Sequence, residues 1–97
     1  MTAGRRLRST VCATEVIVVR APDVPVDISC GGYTMTSGPG QSGRLAAGHD
    51  GGTLLGKRYV DEQTGLEVLC TKPGAGGLAA DGRPLTIKAP KALPASD

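Results

Sequence analysis

The apolar positions of the chain fall in short runs whose spacing is that of strands. "ATEVIVVR" (residues 13–20) is dense in β-branched residues and predicts a strand. "APDVP" turns it, and "VDIS" predicts a second short strand. Further on, "TLLGKRYVDEQTGLEVLCT" predicts two strands around the turn "DEQTG", where Gly65 can take the positive φ such a turn often needs. Leu66, Val68 and Cys70 then alternate at period two and share one face. "KPGAGG" turns the chain again, and "LAADGRPLTIK" predicts two short strands around Asp81-Gly82. Glycine (15) and proline (7) together occupy 22 of the 97 positions, which disfavours long helices. The expected fold class is all-β.

This patterning divides a single small domain. Residues 1–10, with "RRLR", read as a basic, solvated N-terminal tail, and residues 11–36 as a first β-unit. Residues 37–52 read as a flexible Gly-rich loop, with at best one helical turn at "RLAA". Residues 53–88 form a second β-unit, and 89–97 a Pro-punctuated C-terminal tail. Within the loop, Gly38, Gly40 and Gly43 satisfy G-x-G-x-x-G literally. That motif needs a βαβ unit around it, and Arg44 and Leu45 stand where a P-loop carries its Lys and Ser/Thr. The glycines therefore mark a linker.

Composition sharpens the picture. There is no Phe or Trp and only Tyr33 and Tyr59, so the core must be made of Val, Leu and Ile. Small aliphatic cores are marginal, which leads us to expect a protein partner or self-association. The net charge of +2 comes largely from Arg5, Arg6, Arg8, Lys88 and Lys91 near the ends. No basic face with interleaved aromatics is present, so no nucleic-acid partner is expected. Glu15 interrupts the first apolar run, and none approaches the ~18 residues of a membrane span, so neither a secretory leader nor a membrane association is expected. The expected location is the cytoplasm, where disulfides are rare. Three cysteines leave at least one thiol free within a monomer.

An offset of 50 places "VIVVRAPDVPVDISCGGYTM" over "LEVLCTKPGAGGLAADGRPL", with Val18 on Val68, Ile28 on Leu78, Gly32 on Gly82 and Met35 on Leu85. Strand, turn, strand and glycine corner recur in one order, an internal repeat. Each unit resembles the desulforedoxin-like module, a small β-fold carrying iron on four cysteines. Its pattern is an aromatic, C-x-x-C-G, a strand-turn-strand, then C-C-G-x-x-M. Tyr59 to Gly65 overlies its first knuckle, Ala80 to Leu85 its second, and Cys30 to Met35 the second knuckle of the first unit. The resemblance covers about half the chain and implies eight ligand positions: Val11, Thr14, Cys30, Gly31, Asp61, Thr64, Ala80 and Asp81. Only one of these is Cys, and Cys12 lies one residue off that register. Four converging thiolates cannot come from three cysteines, so the resemblance implies a fold kept and a metal lost.

The favoured expectation is a non-catalytic binding or accessory protein with no cofactor. Its ligand or partner surface would use Cys30, Gly31, Gly32, Tyr33 and His49, at a glycine corner and the adjoining loop. One alternative is a zinc site from Cys12, Cys30, Cys70 and His49, within a chain or across a dimer. The ligand types suit zinc, but no C-x-x-C knuckle occurs. Another is a small thiol enzyme using Cys30, whose two following glycines would leave the sulfur reachable. Cys70, on the apolar face of its strand, reads as a small buried hydrophobe. Asp61, Glu62 and Asp81 read as turn residues.

Overall fold

A computed structural model describes residues 2–38 and 43–88. The described chain is all-β, with nine strands: β1 (Arg6–Arg8), β2 (Glu15–Arg20), β3 (Ile28–Cys30), β4 (Tyr33–Thr34), β5 (Arg58–Asp61), β6 (Leu66–Lys72), β7 (Leu78–Ala80), β8 (Arg83–Pro84) and β9 (Thr86–Ile87). They form two antiparallel sheets, one in the order β1-β2-β6-β5-β9 and one in the order β4-β3-β7-β8. Among the described residues no helix is long and apolar enough to cross a membrane.

The alternation in the sequence explains which faces turn inward. Leu66, Val68 and Cys70 of β6 are essentially inaccessible, as are Val16 and Val18 of β2. They join Ile28, Cys30, Leu78 and Ala80 from the second sheet in one cluster, which Leu7, Cys12, Tyr59, Met35 and Leu85 complete. Tyr59 is the one aromatic in that core, and its hydroxyl accepts a hydrogen bond from the Leu54 amide at 2.9 Å. Glu67 also lies buried on β6, against alternation, because Arg58 (3.1 Å) and Lys88 (3.0 Å) pair with its carboxylate. Pro84, which cannot donate to a ladder, sits on the edge strand β8.

The "DEQTG" hairpin closes as its residues require. β5 pairs with β6 from Asp61↔Leu66 outward, and Gly65 takes φ +79°. The segments "ISCGGYTM" and "LAADGRPL" pair along β3 and β7, with Ile28↔Ala80, Ser29↔Ala79 and Cys30↔Leu78. Adding fifty to the β3 residue and subtracting fifty from its β7 partner returns the same set of pairs. β4 and β8 are also fifty positions apart, with Cys30↔Tyr33 matching Ala80↔Arg83. The Met35 and Leu85 amides bond back to the Ile28 and Leu78 carbonyls at 2.8 and 2.9 Å.

Two expectations are corrected. The first ten residues are not a solvated tail: Arg6–Arg8 is an edge strand whose arginines face outward while Leu7 is buried. Alternation explains this, since one apolar residue between two charged ones suffices to dock a three-residue strand. The Gly-rich segment 37–52 is not a free linker over its described part. The amides of Gly43 and Ala46 bond to the carbonyls of Thr10 and Gly31, the Gly77 amide bonds to the His49 carbonyl, and Leu45 packs on the core. Residues 39–42 of that loop, and the expected tail at 89–97, lie outside the described residues.

Candidate dithiol site

The hairpin joining β1 to β2 positions the first functional side chain. Ser9 N–H bonds to the Thr14 carbonyl, leaving four residues, 10–13, in the loop. The β5–β6 hairpin likewise leaves four, 62–65, between Asp61 and Leu66. Strand pairing thus matches Ser9 with Asp61 and Cys12 with Thr64, a spacing of 52 rather than 50. In the bridges Arg8↔Thr36 and Val60↔Thr86, Arg8 and Val60 are likewise 52 apart, whereas their partners Thr36 and Thr86 are 50 apart. The ladder between β2 and β6 shifts register between Glu15 and Val16 and again between Val18 and Arg20. The four-residue loops thus align at a spacing of 52, whereas the β3–β4 and β7–β8 hairpins align at 50.

Within the corner, Cys12 Sγ lies 3.7 Å from Cys30 Sγ and 3.3 Å from both Ser9 Oγ and Thr14 Oγ1. Ser9 Oγ accepts hydrogen bonds from the Val11 and Cys12 amides at 3.1 Å, which fixes the loop around the sulfur. Thr14 Oγ1 is 3.0 Å from Thr53 Oγ1, and the Thr53 hydroxyl donates to the Gly76 carbonyl at 2.7 Å. Every buried side-chain oxygen and nitrogen described here has a partner. The network is satisfied and rigid.

Glycines let backbone close over the sulfurs. A Cβ at Gly76 would stand 2.9 Å from Cys30 Sγ and 2.8 Å from the Gly31 nitrogen. At Gly74 it would collide with Thr14 Oγ1 and come within 3.1 Å of Cys12 Sγ. Gly31 itself holds φ +65°, and any side chain there would meet Leu45 and Val11.

The two thiols differ electrostatically. Burial alone pushes Cys12 up, but its hydrogen bonding with the Ser9 and Thr14 side chains and with the Thr14 and Gly76 backbone outweighs it. The net effect lowers the thiol from 9.0 to about 7. Burial dominates at Cys30 and, with the neighbouring Cys12 charge adding to it, raises that thiol to about 11. Cys12 also borders a cavity of about 210 Å³ whose rim carries Arg8, Glu15 and Lys72. Arg8 and Lys72 approach the Glu15 carboxylate at 3.7 and 3.8 Å.

The turn of the β5–β6 hairpin has no sulfur. Asp61 accepts from Thr64 Oγ1 at 2.7 Å and from Arg83 at 2.8 Å (Nη2) and 3.4 Å (Nε), a two-pronged ion pair. The Arg83 hydrogen bond, with Thr64 assisting against a burial penalty, holds the Asp61 carboxyl below its ordinary range. Asp61 is therefore more than a turn residue. Asp81, at φ +47°, does serve its corner, accepting from the Asp27 amide at 2.8 Å.

The surface expected at Cys30, Gly31, Gly32, Tyr33 and His49 splits. Gly32, Tyr33 and His49 are exposed, with the His49 ring beside Gly32. Cys30 and Gly31 are buried, and the two glycines after Cys30 do not uncover its thiol because Gly76 and the 45–46 segment cover it. Burial and the raised proton affinity make Cys30 a poor nucleophile. Nor do Cys12, Cys30, Cys70 and His49 converge. Among the described residues no three His, Cys, Asp or Glu side chains group as metal ligands, and the Cys70 thiol donates to the Lys72 carbonyl at 3.2 Å.

Comparison of the chain with known protein families, with curated proteins and with solved structures finds no match.

Proposed function

We propose that the chain is a non-catalytic binding or accessory protein of the cytoplasm, built from two copies of one β-unit. On this reading, a desulforedoxin-like fold persists without its metal. The observation that carries the reading is the Asp61–Arg83–Thr64 cluster, where the protein's own charges tie together a corner that the resemblance assigns to a metal. The fifty-residue spacing of β3 and β4 from β7 and β8 supports the duplication.

The partner surface on this reading comprises Gly32, Tyr33 and His49. Leu54, Leu55 and Ile87 are further large apolar side chains left exposed. A second copy of the chain or another protein covers them.

The test is chelation. Purified, untagged protein treated with a strong chelator should keep its thermal midpoint and its assembly state. Unfolding or dissociation on chelation would instead support a zinc site, shared across a dimer because the four candidate ligands do not meet within one chain.

A further inference from the structure

Cys12 and Cys30 have a relation that a metal-free binding protein does not require. Their sulfurs are 3.7 Å apart, and one borders a cavity while the other lies fully enclosed behind it. We propose that this pair is a thiol–disulfide exchange site for low-molecular-weight disulfides, with Cys12 as the attacking sulfur and Cys30 as the resolving one. The inference does not depend on the proposed function, since exchange and partner binding use different surfaces.

Access, donors and reach each support the assignment. The cavity beside Cys12 holds about 210 Å³, below the usual size for a drug-sized ligand but enough for one arm of a small disulfide. Ser9 Oγ and Thr14 Oγ1 lie 3.3 Å from Cys12 Sγ, and when the thiol ionises the Ser9 hydroxyl can turn to donate to the sulfur, beside the backbone bonds from Thr14 and Gly76. Cys30 needs to close only from 3.7 Å to the ~2.05 Å of a disulfide, and Gly74 and Gly76 put no side chain of their own against the two sulfurs. Cys70, whose thiol burial pushes up, lines no such cavity.

The chemistry balances. Cys12 thiolate attacks one sulfur of R–S–S–R, breaking that bond and releasing RS⁻, which takes a proton from water. Cys30, a poor nucleophile toward free reagents but held 3.7 Å from Cys12 Sγ, then gives up its proton as it attacks that sulfur in the mixed disulfide, and the proton leaves with the second RS⁻. Two protein thiols are oxidised by two electrons, and one small disulfide is reduced to two thiols. In the cytoplasm such a bond would form transiently, as redox-sensing pairs do.

The experiment treats fully reduced, full-length protein with oxidised glutathione at neutral pH. Remaining thiols are then blocked by acid-quenched alkylation, and the product is read by intact mass and peptide mapping. The expected product has lost two hydrogens, carries a Cys12–Cys30 link and retains an alkylatable Cys70. Cys30→Ala should arrest the reaction as a glutathione adduct on Cys12, at least about tenfold faster than on Cys70. Two results on the wild-type chain, independent of how any variant folds, would overturn the assignment: a persistent Cys12 adduct with no internal link, or first reaction at Cys70.

Discussion

Replacing Gly76 with alanine tests the close packing that builds the dithiol corner. The added Cβ would lie 2.8 Å from the Gly31 nitrogen, 2.9 Å from Cys30 Sγ and 3.0 Å from the Gly31 Cα, so each neighbour is 0.4–0.6 Å short of the 3.4 Å at which ordinary contact begins. Neither wall yields easily. Gly31 N–H is bonded to the Gly77 carbonyl at 3.1 Å, and the Gly76 carbonyl is held by Thr53 at 2.7 Å. Overpacking of this kind costs about 1–3 kcal/mol, and weakening the Gly31–Gly77 bond adds about 1 kcal/mol. The lower entropy of the unfolded alanine chain offsets about 0.4–1 kcal/mol. The net loss is roughly 1–3.5 kcal/mol, or roughly 5–25 °C in Tm for a domain of this size. Gly51→Ala is the control, because its Cβ meets nothing within 4 Å and its φ is not positive. Thermal melts under reducing conditions should separate the two variants, with Gly51→Ala at or slightly above wild type. If Gly76→Ala melts with Gly51→Ala, the backbone does not close over Cys30 as described.

Other perturbations probe the remaining features. Removing residues 1–8 deletes an edge strand and uncovers the site of Leu7, which should cost about 1.5–3 kcal/mol in urea melts; an unstructured tail would cost nothing. Leu66→Ala, at a fully buried position, should cost about 2–5 kcal/mol, whereas Leu55→Ala at 63% exposure should stay within about 0.5 kcal/mol of wild type. Asp61 and Glu67 both have folded-state pKa values below their unfolded ones. Their stabilisation is thus complete above about pH 5 and is lost as pH falls through the acid range. Asp61→Asn should flatten that acid slope, and an unchanged slope would exclude the Asp61–Arg83 pair as its source.

Period-two patterning carried much of the fold. The β5–β6 hairpin, the Asp81-Gly82 corner and the inward face of Leu66, Val68 and Cys70 follow from local chemistry, and each was legible in the sequence. β1 was not, because three arginines dominate "RRLR" and the single inward Leu7 gives too short a pattern to read. The candidate site was largely hidden for a different reason. The β2–β6 ladder shifts register between Glu15 and Val16 and again between Val18 and Arg20, and no local pattern in the sequence announces such shifts. The Asp61–Arg83 pair and the contacts of Gly74 and Gly76 join residues distant in sequence, which only the assembled sheets bring together.

Metal content and assembly state bear most directly on a fold kept without its metal. Elemental analysis of purified, untagged protein, combined with its native mass, measures both. The expected result is an associated species with iron and zinc far below one per chain. One tightly held iron or zinc per chain would contradict the central claim.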